Sequence, residues 1–253
     1  MKLFIYTVPK SGTYLLAEFM GFLGFSNTGY HVSINDFLDT RGFGFEENSK
    51  TPSVAEKEQF FSDTLLSLRE GEIAFGHLPA PLVGWAFPDF KFICSYRHPE
   101  KTLLSEFVDF RFRRDDVNWL SRDECPNDID AFAVYLRNHG PIHLSIFSEM
   151  LAVAALYREP LLNGFLRSNL IFVNFDCFLR SPVEAVRIAD RFDRDPVFAL
   201  QARQKALAAN TKTKAVGLEV DRESFWNEET KKIYAGLKVE ALVEKGRELG
   251  LDL

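Results

Sequence analysis

Apolar residues occur along this chain at two spacings. Short unbroken runs rich in β-branched and aromatic side chains cover residues 3–8, 28–32, 72–76, 90–96 and 169–174. Such runs predict buried strands. Between them apolar positions recur three and four apart. Leu15, Leu16, Phe19 and Leu23 follow the first run, and Phe60, Phe61, Leu65 and Leu68 mark a helix over residues 54–69, ended by Gly71. Residues 99–112 begin with Pro99 and an acid, a helix start, and 128–157 are helical in pattern with an interruption at Gly140 and Pro141. Ser181 before Pro182 caps another helix, and 227–249 reads as a terminal helix ending at Gly250. Residues 36–52 mix Gly, Asp, Asn and Ser with isolated Phe37, Phe43 and Phe45, and are either a binding loop or lid, or a surface connection. Strand–helix alternation predicts an α/β fold, a three-layer α/β/α sandwich on a central parallel sheet. With 253 residues and no repeat, linker or low-complexity tract, the chain suits one domain over 1–253.

The first junction concentrates chemistry. A strand ends at Pro9, and a helix is expected from Ser11 or Gly12. Lys10, the hydroxyls of Ser11 and Thr13, and the backbone amides from Ser11 to Tyr14 crowd the turn between them. Free N–H groups at a helix start, beside a cation, form a nest for a phosphate-like or sulfate-like anion. The arrangement is not a Walker A loop, because no glycine precedes Lys10. Two further strands end in basic groups: His77 follows residues 72–76, and Arg97 follows 90–96, with Ser105 about two turns into the next helix. Ligands of parallel sheets bind at such carboxyl ends. Arg111, Arg113 and Arg114 beside Asp115 and Asp116 read as a solvated helix end. His139 and His143 are four apart without Cys or Asp partners, which gives no metal site.

Bulk properties narrow the partners. A formal charge of −6 argues against broad nucleic-acid binding, so an anionic ligand must be held by local cations. No uninterrupted apolar stretch reaches the length of a membrane span, and the N-terminus does not read as a signal peptide. Cys94, Cys125 and Cys177 are odd in number and widely spaced, which implies a reducing, cytoplasmic setting.

Pro9-Lys10-Ser11-Gly12-Thr13 resembles the phosphosulfate-binding loop of sulfotransferases that use 3′-phosphoadenosine 5′-phosphosulfate (PAPS). Four more segments match that family in its own order. Phe75-Gly76-His77-Leu78-Pro79 resembles the segment carrying its catalytic histidine. Arg97-His98-Pro99 with Ser105, eight positions after the arginine, resembles its 3′-phosphate motif. Phe175-Asp176 followed by Pro182 resembles its adenine-side segment, and 128–147 its acceptor-side helices. Departures are Leu15 where the family often has tryptophan, Phe175 for tyrosine, and Phe75 for a lysine two places before the histidine. The family's C-terminal basic-glycine segment has only Lys212 and Lys214 as counterparts, and its dimer motif has none, so oligomeric state stays open.

The resemblance implies a P-loop-like fold and transfer of a sulfuryl group from PAPS to a hydroxyl or amine. His77 would be the general base and Lys10 would stabilise the leaving phosphate. Lys10, Ser11, Gly12, Thr13, Tyr14, Arg97, Ser105 and Phe175 would bind the donor, and no role needs a metal. The acceptor is a small molecule or a carbohydrate. Phe107, Phe110 and Phe112, with the phenylalanines of 36–52, hint at an apolar or aromatic alcohol, whereas the arginines near Arg113 suit an acidic or carbohydrate one. The alternatives are a nucleotide-binding module without catalysis and a kinase-like phosphoryl transferase.

Overall fold

A six-stranded sheet carries the fold, with spatial order β3-β2-β4-β1-β5-β6. The strands are β1 (Lys2–Thr7), β2 (Ser26–Val32), β3 (Phe37–Asp39), β4 (Glu72–Gly76), β5 (Phe90–Tyr96) and β6 (Leu170–Asn174). β1, β2, β4, β5 and β6 run parallel, and β3 adds an antiparallel edge against β2. This computed structural model describes residues 1–32, 37–39, 65–77, 89–114, 117–159, 169–209 and 220–253. Most of 36–52, residues 54–64 of the helix expected over 54–69, Leu78, Pro79, Asp115, Asp116, Lys212 and Lys214 lie outside them.

The helices are α1 (Thr13–Phe22), α2 (Pro99–Phe112), α3 (Asp128–Asn138), α4 (Gly140–Arg158), α5 (Phe175–Arg180), α6 (Pro182–Arg191), α7 (Pro196–Ala208), α8 (Glu228–Gly236) and α9 (Val239–Glu248). On one face of the sheet Leu3, Ile5, Ile73, Phe75 and Ile93 meet α1, α6 and α7. On the other, Phe4, Tyr6, Phe92 and Cys94 meet Phe147, Met150, Leu151, Val153 and Ala154 of α4. A third cluster around Phe107 joins α2, α3, α8 and α9. The expected three-layer sandwich is what the chain forms.

Several elements differ from expectation, beginning with β3, a short edge strand inside a stretch read as a connection. α7 has no bulky stripe: its buried positions are Ala199, Ala202 and Ala206, so apolar spacing gave no signal. Asp195 caps it by accepting from the Val197 N–H at 2.6 Å. The terminal helix is two, broken where Lys238 takes a left-handed backbone (φ 55°). α4 spans 19 residues and, against the reading of apolar run lengths, is long and apolar enough to cross a membrane. Its apolar side is spent on the sheet, so it is a core helix here.

The last residues fold back over the sheet. Leu251 is buried, the Asp252 N–H donates to Tyr96 Oη at 3.0 Å, and Asn174 Nδ2 donates to the Asp252 carbonyl. Arg247 Nε donates to the Leu253 carbonyl at 2.8 Å.

Candidate active site

In register, Val32 lies beside Gly76, Tyr6 beside Gly76 and Cys94, and Tyr96 beside Asn174. The residues that follow each strand therefore line one edge: His77 after β4, Lys10 after β1, Arg97 after β5 and Phe175 after β6. The connection from β1 leads to β2 on one side, and that from β5 leads to β6 on the other. Between β1 and β5 the connections leave in opposite directions, the kind of switch point at which parallel sheets hold ligands in a crevice.

The β1–α1 loop is tightly held. Val8 N–H donates to the Ser95 carbonyl at 3.1 Å, Ser11 N–H to the Val8 carbonyl at 3.0 Å, and Ser95 Oγ to the Ser11 carbonyl at 2.7 Å. Lys10 and Gly12 both take left-handed backbone, with φ of 64° and 85°. For lysine that conformation costs about 1–2 kcal/mol. A Cβ on Gly12 would lie 1.9 Å from Phe175 Cε2, so only glycine admits the ring that covers the loop. α1 starts at Thr13, just later than expected, and its first-turn amides have no side-chain cap. Ser11 Oγ is fully buried and has no hydrogen-bond partner among the described residues. Uncapped amides and an orphaned hydroxyl beside a lysine fit a bound oxyanion.

Thr7 ties this loop to His77. Its Oγ1 lies 2.6 Å from Thr13 Oγ1, and its carbonyl accepts from His77 Nδ1–H at 2.7 Å. His77 Nε2 faces His31 Nε2 at 3.2 Å. His31 stacks on Tyr14 (centroids 5.9 Å apart, planes at 14°), and Phe75 meets both rings edge-on. Tyr14 thus turns its ring to His31, and burial pushes its hydroxyl up to about 12. Burial, and then the neighbouring His77, push His31 down to about 3. Burial also lowers His77 below the ordinary imidazole value, against the opposing Thr7 bond.

Carboxylates hold the two predicted cations. Lys10 Nζ is 2.5 Å from Asp109 Oδ2, which Arg113 also reaches through Oδ1 at 3.1 Å. Burial lowers the Lys10 ammonium more than Asp109 raises it. Arg97 Nε donates to Asp176 Oδ1 at 2.8 Å, and Lys101 Nζ to Oδ2 at 2.7 Å. Burial opposes the Asp176 charge, but Lys101 and Arg97 outweigh it and hold the carboxyl low. Lys101, Ser105 and Asp109 stand four apart on one side of α2. Lys101 reaches Asp176 after β6 and Asp109 reaches the β1 loop, and half-buried Ser105 lies between them on the same side of the helix.

Several side chains have other duties than expected. Phe107 is a core ring between Phe132 and Phe225, not a residue bordering the acceptor mouth. Arg111 is not at a solvated end: it is buried, bonded to Asp128 at 2.7 Å and to the Cys125 carbonyl at 2.7 Å. His139 and His143 both donate to buried Glu106 Oε2, at 3.2 and 2.8 Å, and Tyr135 Oη donates to it at 2.8 Å. Burial opposes the Glu106 charge, and His143 with His139 outweighs it, keeping the carboxyl well below its usual range. Sequence reasoning passed over His31, Thr7, Asp109 and Lys101. His31 had the same signal that singled out His77, a histidine at a strand's carboxyl end.

The chain matches no protein-family profile and no curated protein sequence. Among solved structures it is similar to mouse sulfotransferase SULT7A1 complexed with PAP, at 15% identity and a TM-score of 0.59, over 97% of this chain and 84% of that one. It is also similar to retinol dehydratase in complex with androsterone and inactive cofactor PAP, at 14% identity and a TM-score of 0.56, over 100% and 82%. With this sheet order, this loop and these neighbours, the chain has the fold of the PAPS-dependent sulfotransferases.

Proposed function

We propose that the protein is a sulfotransferase moving the sulfuryl group of PAPS to the hydroxyl of a small-molecule or carbohydrate acceptor. One observation carries the reading. The His77 ring is anchored on Thr7, the strand residue whose hydroxyl also meets the first residue of α1, so the candidate base and the anion loop are one unit. Two solved structures of like fold, each holding PAP, support it.

PAPS supplies an activated sulfuryl group on a phosphate oxygen, and the chain's residues do the rest. The amides from Gly12 to Tyr14 and the Ser11 hydroxyl hold the 5′-phosphate, the Ser11 N–H being spent on the Val8 carbonyl. Lys10 leaves Asp109 to neutralise charge that develops on the leaving oxygen. Arg97, released from Asp176, and Ser105 read the 3′-phosphate, while Phe175 offers its face to the adenine. His77 is kept neutral by burial and is therefore able to receive a proton at neutral pH.

Labelled PAPS tests this with a panel of phenols, lipid alcohols and oligosaccharides. His77→Ala is expected to lower turnover by about 10²-fold or more while PAP still raises the melting temperature. Near-normal turnover in that variant, or stabilisation by ATP with magnesium but not by PAP, would refute the assignment. A second reading, a nucleotide-binding module without catalysis, is favoured by the closure of Lys10 on Asp109. PAP stabilisation without transfer to any acceptor would select it.

A further inference from the structure

Both ring nitrogens of His77 are engaged. Nδ1–H donates to the Thr7 carbonyl at 2.7 Å, which fixes the tautomer and leaves a lone pair on Nε2. That lone pair faces His31 Nε2 at 3.2 Å. Two lone pairs would repel there, so His31 carries its proton on Nε2 and donates it to His77. The lone pair of His31 is then on Nδ1. Among the described residues it is the one ring nitrogen of the pair without a hydrogen-bond partner. The backbone sets the pair: Val32 is in register with Gly76, and the His77 N–H donates to the Val32 carbonyl at 2.9 Å. A Cβ on Gly76 would lie 1.7 Å from that carbonyl oxygen, so glycine is what lets the two strand ends close up. The rings meet edge to face, with centroids 4.9 Å apart, and Tyr14 and Phe75 wall in His31.

We propose, resting on the sulfuryl-transfer reading above, that the proton acceptor is the His31–His77 pair, with His31 Nδ1 as its point of entry. The acceptor's O–H bond breaks as its oxygen bonds to sulfur. The bond from sulfur to the 5′-phosphate oxygen breaks, and the phosphate keeps the electron pair. The hydroxyl proton goes to His31 Nδ1, and the proton on His31 Nε2 passes to His77 Nε2. His77 ends as an imidazolium donating to Thr7 and to His31. His31 ends neutral, protonated on Nδ1, with its Nε2 lone pair now accepting from His77. Two protons have each moved one step, the pair has gained one, and one positive charge has appeared, matched by the negative charge on the leaving phosphate. A lone His77 would have to break its His31 bond before acting, whereas the pair keeps that bond throughout with the proton reversed.

His31→Ala and His31→Gln in the full chain test this, Gln being able to donate to His77 but not to relay. Both are expected to keep stabilisation by PAP and to lose turnover by about 10²-fold or more. Added imidazole is expected to restore part of the turnover of His31→Ala. In the ligand-free protein, ¹⁵N spectra of labelled histidines are expected to find His77 protonated on Nδ1 and His31 on Nε2. Wild-type turnover in His31→Gln overturns the relay alone, as do the opposite tautomers. Loss of wild-type activity in EDTA with recovery on adding zinc also overturns it, by making the pair a metal site. A wild-type protein that PAP does not stabilise overturns the sulfotransferase reading itself, and the relay with it.

Discussion

Lys10 holds a left-handed backbone and closes its ammonium on Asp109, largely out of water. A buried pair of this kind contributes little net stability, because desolvation offsets the attraction. Breaking it on one side is costly, since the other charge is left unpaired. Asp109→Asn is therefore expected to lower the melting temperature of the ligand-free protein. The same change removes a competitor for Lys10, so PAP should bind several-fold more tightly. Thermal shifts measured with and without PAP check both signs, and a weaker PAP shift would show that Asp109 supports binding. Placement set by strand position was legible in the sequence: Lys10, His77 and Arg97 each follow an apolar run, and all three come to one edge of the sheet. Asp109 and Lys101 were not, because nothing in a helical pattern tells which acid or lysine on the helix meets a distant loop. The core role of Phe107 and the burial of Arg111 were hidden for the same reason: both depend on α3 and on residues after Val220 packing against α2.

At the scale of elements, α2, α3 and α4 are pinned by one carboxylate. Glu106 of α2 accepts from Tyr135 of α3, from His139 at the α3–α4 break, and from His143 of α4, all through Oε2. His143 Nε2 returns to α2 at Thr102 Oγ1, 2.8 Å away. The break at Gly140 and Pro141, visible in the sequence, is what brings three donors to one oxygen. Glu106→Ala leaves those donors buried without an acceptor, which should cost about 3 kcal/mol or more. For a chain of this size that lowers the melting temperature by roughly 6–12 °C. Glu106→Gln keeps an acceptor and should lose less. Equal losses in the two variants would show that the charge, and not the acceptor, is what matters. The limits of β1, β4, β5 and β6 were legible to within a residue, because a buried strand writes an unbroken apolar run, whereas the more exposed β2 begins two residues before the expected run and the short edge strand β3 was missed. α7 was not legible, because alanines bury a helix face without marking it.

Across the whole molecule, burial of two facing histidines makes stability depend on pH. His31 is pushed down to about 3 and His77 below its usual value, whereas in the unfolded chain both titrate near 6.5. Between those values the unfolded chain takes up protons that the folded chain refuses. The stability is full above pH about 6.5 and drains as pH falls towards about 3. Glu106 and Asp176, held low, add a further loss in the carboxylate range. Melting temperatures of wild type and His31→Gln between neutral and mildly acid pH separate the two causes. The variant should fall less steeply above the carboxylate range, and parallel curves would show that His31 protonates freely.

The returning tail has a practical corollary. Asp252 is hydrogen-bonded to Tyr96 and Asn174, the residues just before Arg97 and Phe175, so the final residues brace two of the four strand ends that form the crevice. Removing residues 251–253 is expected to weaken PAP stabilisation while the fold survives, and an unaltered shift would free the crevice from that brace. A purification handle fused directly after Leu253 would pull on the same anchor.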